Sequence, residues 1–216
     1  MSVLRCGAVQ GDAVNTAILS VDPGNNSGWA MFIGGNFRKS GVIPPAERAG
    51  IGKSMDVLEA FRLTRQLGDF QVPPGSGRLM VIESQYTQVR AAASGMLKTV
   101  ESRATWEAIA TLLGWEILRV PPSTWQSHAG LLKKAVNAGR RAGGRGSRVE
   151  KLKETEKEKR SRLGKERRAR KKLSVVYAQK IKPTVKSNDE ADAILIGRWA
   201  VLRERIQEAA ARGRQR

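Results

Sequence analysis

Four acids stand beside apolar runs that must be buried. Asp22 ends the run Ala17-Ile18-Leu19-Ser20-Val21, and Glu83 ends Leu79-Met80-Val81-Ile82. Asp189 and Asp192 lie in Asn188-Asp189-Glu190-Ala191-Asp192-Ala193-Ile194-Leu195-Ile196, which reads as the start of a buried helix. Unpaired charge beside a core is costly, so each acid needs a basic partner or a hard cation. Clusters of carboxylate oxygens are how proteins hold Mg2+ or Mn2+ for phosphoryl chemistry. The chain has only six Asp, and three of them fall at these positions. That concentration says more than any one acid.

Each acid also has an ordinary reading. Asp22 before Pro23-Gly24 suits a turn. Glu83 could be a strand end emerging into solvent. Asp189 falls in a first helical turn, where acids complement the helix dipole. Ser187 and Glu190 form a Ser-x-x-Glu capping box, which gives Glu190 a structural task. Asp192 lies beyond that turn, between Ala191 and Ala193, and these arguments do not cover it. Residues three apart on a helix project within about 60° of each other. Asp189 and Asp192 therefore share a face, and Glu190 points elsewhere.

Strand and helix patterns place these acids. Thr16 to Val21 reads as a strand, followed by dense turn chemistry at Pro23-Gly24-Asn25-Asn26-Ser27-Gly28. Trp29 to Ile33 and Phe37 to Ile43 are strands joined by a Gly34-Gly35-Asn36 hairpin signal, giving an antiparallel meander. Glu47 to Leu67 has helical spacing, with Ile51, Met55, Leu58, Phe61 and Leu67 near one face. Leu79 to Glu83 is a continuous apolar strand, as expected in the middle of a sheet. A long helix is predicted over roughly 91–113, a strand over Trp115 to Val120, and a short helix after Pro121-Pro122-Ser123. The final helix runs from about Asn188 to Ala211. Hairpin strands followed by strands alternating with helices predict an α/β sheet of mixed direction.

The 216 residues suit one domain with a sizeable core, carrying a net charge of +19. Such a charge points to a polyanionic partner. Residues 133–171 form a basic insertion into a domain spanning 16–210. Residues 1–15 read as a loose leader and 211–216 as a basic tail. Over 133–172, eighteen Lys and Arg stand against five Glu, a net +13. The pairs Glu156/Arg160, Glu158/Arg162 and Glu166/Arg170 support a solvated helix there. None of the four acids lies within the insertion, so its removal is expected to leave their site intact. It reads as an arm along nucleic acid or as a charged spacer. The single Cys6 excludes an intrachain disulfide and fits a reducing cytoplasm. His128 stands alone, so no Cys/His zinc site can be built. No apolar run approaches the ~20 residues of a membrane span.

Asp22-Pro23-Gly24 with Gly28 and Ala30, then Val81-Ile82-Glu83, then Asp189-x-x-Asp192-Ala193 resemble the RuvC Holliday-junction resolvases of the RNase H-like superfamily. The likeness covers roughly 16–132 and 172–205. It implies an RNase H-like mixed β-sheet flanked by helices. Asp22, Glu83, Asp189 and Asp192 would hold two Mg2+ per site, with Mn2+ also serving and no small-molecule cofactor. Lys172 would be the active-site lysine. Tyr86 would meet the junction centre, although it also reads as an ordinary half-buried Tyr. A second family lysine has no match here, and Gln126 and His128 stand in that segment. Arg90, Arg103, Lys133, Lys134, Arg140, Arg141 and Arg145 are the further candidates for DNA contact. The resemblance implies a prokaryotic or phage source and a homodimer. It would cut four-way junctions by two-metal hydrolysis, leaving 5′-phosphate and 3′-hydroxyl ends. A related nuclease of flaps, forks or RNA–DNA hybrids, or a non-catalytic basic DNA-binding protein, are the alternatives.

Overall fold

The continuous apolar run in Thr16–Asp22 (β1), buried on both faces, builds the middle of the sheet. The structure is a computed structural model, and it describes residues 16–48, 52–72, 76–84, 93–132 and 156–213. β1 pairs antiparallel with Ser27–Ile33 (β2), which pairs antiparallel with Asn36–Ile43 (β3). On its other side β1 pairs parallel with Gly77–Glu83 (β6), and β6 with Glu116–Val120 (β7). The sheet order is β3-β2-β1-β6-β7, so β3 and β7 are its edges. This is the expected meander plus parallel strands. Gly34 and Gly35 take φ of 58° and 75° at the hairpin, as the Gly-Gly-Asn signal requires.

The helical spacing over 47–67 misleads at its start. Pro45–Arg48 (β4) and Gly52–Met55 (β5) form a separate two-stranded sheet, and the helix begins only at Val57. Asp56 stops the helix from starting earlier: its extended backbone and side chain cap Val57–Gln71 (α1) by accepting from the Glu59 N–H at 3.0 Å. Gly52, at φ 75°, opens β5. Ala93–Leu112 (α2), Pro122–His128 (α3), Glu156–Ala178 (α4) and Asn188–Gly213 (α5) follow. α4 runs unbroken from the basic segment into the apolar residues 173–177, so no element boundary falls at 171. Among the described residues, no helix is long and apolar enough to cross a membrane.

The two faces of the sheet carry separate cores. Ala17, Leu19 and Val21 of β1, with Met80 and Ile82 of β6, pack against Ala60 and Leu67 of α1 and Trp106 and Ile109 of α2. Ile18 of β1, with Leu79 and Val81 of β6, packs under Ile194 and Ile196 of α5, Trp125 of α3 and Ala178 of α4. Parity then places the acids. Asp22 continues the stripe 18, 20, 22, and Glu83 continues 79, 81, 83, so both belong to the face under α5.

α5 lies unusually close to that face. A Cβ on Gly28, the residue opposite Asp22, would run into the Asp189 carbonyl, and one on Gly197 would strike the Phe32 ring and the Ser20 hydroxyl. Ser20 is fully buried and bridges the layers, its Oγ within 3.0 Å of the Ala30 carbonyl and 2.7 Å of the Ala193 carbonyl. Replacing Gly28 with Ala should cost about 1–3 kcal/mol as α5 is pushed outward. Replacing Gly68 of α1 with Ala, whose added methyl would meet only ordinary contacts with the Arg78 and Trp115 side chains, should be neutral or stabilising by up to ~1 kcal/mol. Urea unfolding of the two variants checks this, and equal midpoints would refute the close seating.

Candidate active site

The turn after β1 is held from below by α2. The Trp106 indole donates to Ser27 Oγ at 3.2 Å, and the Ser27 and Ser102 hydroxyls lie 3.0 and 3.1 Å from the Gly24 carbonyl. This buried network fixes residues 23–27, and with them the end of β1 that carries Asp22. Glu83 is fixed by the ladder itself, since it pairs with Val120 and the next residue's N–H donates to the Val120 carbonyl at 2.8 Å.

The four acids come together. Asp22, Glu83, Asp189 and Asp192 line one open cavity of about 300 Å3, with Asn26, Thr99, Gln126 and Ser174 around them. Arg167, Arg170 and Lys171 of α4 form the opposite wall. The cavity is acidic on the sheet and α5 side and basic on the α4 side. Sequence reasoning does not single out Arg167, Arg170, Lys171, Asn26 or Ser174. The i, i+3, i+4 spacing of 167, 170 and 171 on a helix is the signal that could have found the wall.

Several expected contributors stand elsewhere. Lys172 is exposed and does not line the cavity; Lys171 does, because one residue turns the helix by about 100°. Within the insertion, residues 167, 170 and 171 line the same cavity as the four acids, although none of the acids themselves lies in it. Glu166 pairs with Arg162 at 3.0 Å, and Arg170 reaches the Gln126 side chain at 3.3 Å. Gln126 thus faces the acids. His128 lines a different cavity. Arg103 is half-buried and ion-paired with Glu107, which Arg119 also grips through two hydrogen bonds of 2.7 Å. Arg103 is thus engaged within α2, and Arg119 ties α2 to β7 through the same carboxylate. Tyr86, Arg90, Lys133, Lys134, Arg140, Arg141, Arg145 and the leader 1–15 lie outside the described residues.

Glu190 does have a structural task, but not the capping box. The Ser187 hydroxyl accepts from the Asp189 N–H at 3.2 Å, while the Glu190 carboxylate turns inward to Lys182 at 2.6 Å and Ser40 at 2.7 Å. A buried carboxylate gains more from a charge-assisted pair than from an exposed cap. That pair also clamps the start of α5 to β3.

All four site acids are raised above the ordinary carboxylate range. Burial is the main cause for each. Asp22 is pushed further by the charges of Glu83 and Asp192. Glu83 is partly restrained by Asp22 and by the Trp125 indole, which is buried and makes no hydrogen bond of ordinary geometry. Asp192 reaches about 7, with Ser174 and Lys171 pulling it down and Glu83 and Asp189 pushing it up. Its Oδ1 is buried without a hydrogen-bond partner.

Among the described residues no three acids are already posed about a single point as a metal cage. The donor set still fits a hard divalent cation. It is all oxygen, it is mutually repulsive, and it includes one buried oxygen with nothing to bind. Rotation of carboxylate side chains in an open cavity is the adjustment needed.

The raised values fix a pH dependence. A raised carboxyl favours the protonated folded state, so its stabilisation is present at low pH and lost as pH rises through the folded value. In EDTA the melting temperature should therefore fall between about pH 5 and about pH 8. Asp192→Asn should flatten that profile and melt several degrees above the parent at about pH 8. Thermal melts of the pair test this, and parallel profiles would contradict the electrostatics.

No family model and no curated relative matches the chain. Solved structures do. Thermus thermophilus RuvC in complex with a Holliday junction substrate is 12% identical with a TM-score of 0.54, covering 88% of this chain and 96% of its own. A second Thermus thermophilus RuvC structure is 13% identical with a TM-score of 0.50, covering 89% and 97%. The likeness shows that the chain has the RuvC-like, RNase H-like fold.

Proposed function

We propose that the protein is a metal-dependent nuclease of branched DNA that resolves four-way junctions. The observation that carries this reading is a single cavity in which four carboxylates face three cations. Asp22, Glu83, Asp189 and Asp192 would hold the metal. Two Mg2+ or Mn2+ ions bound there would supply an acidified attacking water and charge stabilisation for the leaving 3′ oxygen. The chain's own groups do the positioning. Lys171, beside Asp189 and Asp192, balances their charge and reaches toward a phosphate at the cavity mouth. Gln126 orients Arg170, whose planar fork suits phosphate oxygens. Arg167 extends the same wall. The net charge of +19 supplies affinity through counterion release. Purely architectural binding accounts for the charge but not for four acids gathered against the core.

Asp22→Asn, Glu83→Gln and Asp192→Asn should each reduce cleavage to background while junction binding is kept or strengthened. Lys171→Ala should lower kcat by about 10²-fold, and Lys172→Ala should lower only salt-sensitive affinity. The assay uses a mobile four-way junction, a fork and an RNA–DNA hybrid, with Mg2+, Mn2+ or EDTA. Cleavage of the hybrid alone would replace junction resolution with a hybrid nuclease. Equal loss at Lys171 and Lys172 would contradict the assigned wall.

A junction offers two symmetric strands, which a twofold dimer matches. Sedimentation should therefore find two copies on one junction. A single copy, free and bound, would overturn the dimer.

A further inference from the structure

α4 and α5 run side by side in the same direction away from the acids. Lys171 lies beside Asp189 and Asp192, Ser174 beside Asp192, and then Tyr177 and Lys180 share a second cavity with Leu195, Arg198 and Leu202. This cavity, about 360 Å3, is closed on its third side by His128 and Ala129 at the end of α3. Among the described residues no Asp or Glu lines it. Lys180 and Arg198 are exposed, and the Lys180 ammonium stands 5.0 Å from the Tyr177 ring centroid. The floor of Ala129, Leu195 and Leu202 is apolar. Cations at the rim over an apolar floor suit a ligand that is anionic outside and flat or apolar within. A nucleotide of a DNA strand has that character, with its phosphate outward and its sugar and base edge inward.

Position favours DNA over other anions. From Asp192 to Arg198 is six residues, or about 9 Å along a helix. A duplex strand advances about 3.4 Å per nucleotide, so a strand crossing the acid cavity reaches Arg198 two to three nucleotides from the bond that is cut. We propose that this second cavity is a subsite for the DNA strand flanking the cleavage position, with Lys180 and Arg198 on its phosphate and Leu195 and Leu202 under its sugar and base. The inference rests on the reading of the acid cavity as a DNA-cleaving site.

The test is a Lys180→Ala/Arg198→Ala double variant of the full chain, with Lys53→Ala/Arg62→Ala as a control of equal charge. Arg62 lies on α1, across the sheet from both cavities, and Lys53 lies on β5. The double variant should bind a four-way junction about tenfold more weakly than the control, with a salt slope lower by roughly 0.9 for each phosphate no longer neutralised. Ethylation interference should lose its signal two to three nucleotides from the cut. If affinity, slope and interference pattern match those of the control, the subsite is overturned, and the cations serve another anion. Cleavage by the parent protein is scored separately. Its absence on every branched substrate would remove the reading of the acid cavity, while binding and interference alone decide the subsite.

Discussion

The packing of α5 on the sheet sets everything else. A helix normally stands off a sheet by the thickness of two side chains. Here Gly28 and Gly197 remove those side chains at two points, and Ser20 fills the narrow gap, its hydroxyl within hydrogen-bonding distance of a carbonyl in each layer. The start of α5 therefore lies directly against the end of β1, and its acids project beside those of the sheet. Separated by one ordinary layer of side chains, the four carboxylates would be four independent acids. Brought together and buried, all four are raised, chiefly by burial, and Asp22 and Asp192 are raised further by the charge of their neighbours. The Glu190–Lys182–Ser40 cluster and the Ser27–Ser102–Trp106 network clamp the two ends of this arrangement.

α4 supplies the counterpart. Its sequence is among the most polar in the chain, yet it is not a detached appendage. Leu173, Ser174, Val175, Tyr177 and Ala178 are partly or fully buried against the core beside α5, and residues 167, 170 and 171 face the acids. One helix thus changes role along its length, from solvated and charged to packed and apolar. The transition falls where it passes the cavity, so a rigid element rather than a loop sets the distance between the acid floor and the basic wall. In the proposed function, such preorganisation would favour the placement of a phosphodiester.

Much of this is legible in the sequence, because acids that end buried apolar runs are physically conspicuous and strand parity fixes which face they take. The five-stranded sheet is legible for the same reason. Features set by phase or by non-local partners are not. Lys171 and Lys172 are chemically identical neighbours, and only the rotation of α4 relative to α5 separates them. Glu190 matches a local capping pattern but finds a stronger partner in Lys182, eight residues earlier. The β4–β5 hairpin has apolar residues at helical spacing, and the feature that excludes a helix there is the cap at Asp56, a single residue in a polar stretch. Arg103 sits four residues before Glu107, a pairing that spacing alone permits, but the hold of Arg119 on the same carboxylate comes from another element and is not legible locally.

The two edges of the sheet bear on how copies of this chain can meet. Arg38 and Lys39 are exposed on β3, and Glu116 and Arg119 on β7. Charged side chains along an unpaired ladder discourage another strand from adding to it. Two β3 edges brought together would also set like charges against each other. Assembly by extending the sheet into one continuous layer is therefore disfavoured at both margins. A twofold partner would have to approach through helical or loop surfaces, which leaves the sheet a closed unit within each copy.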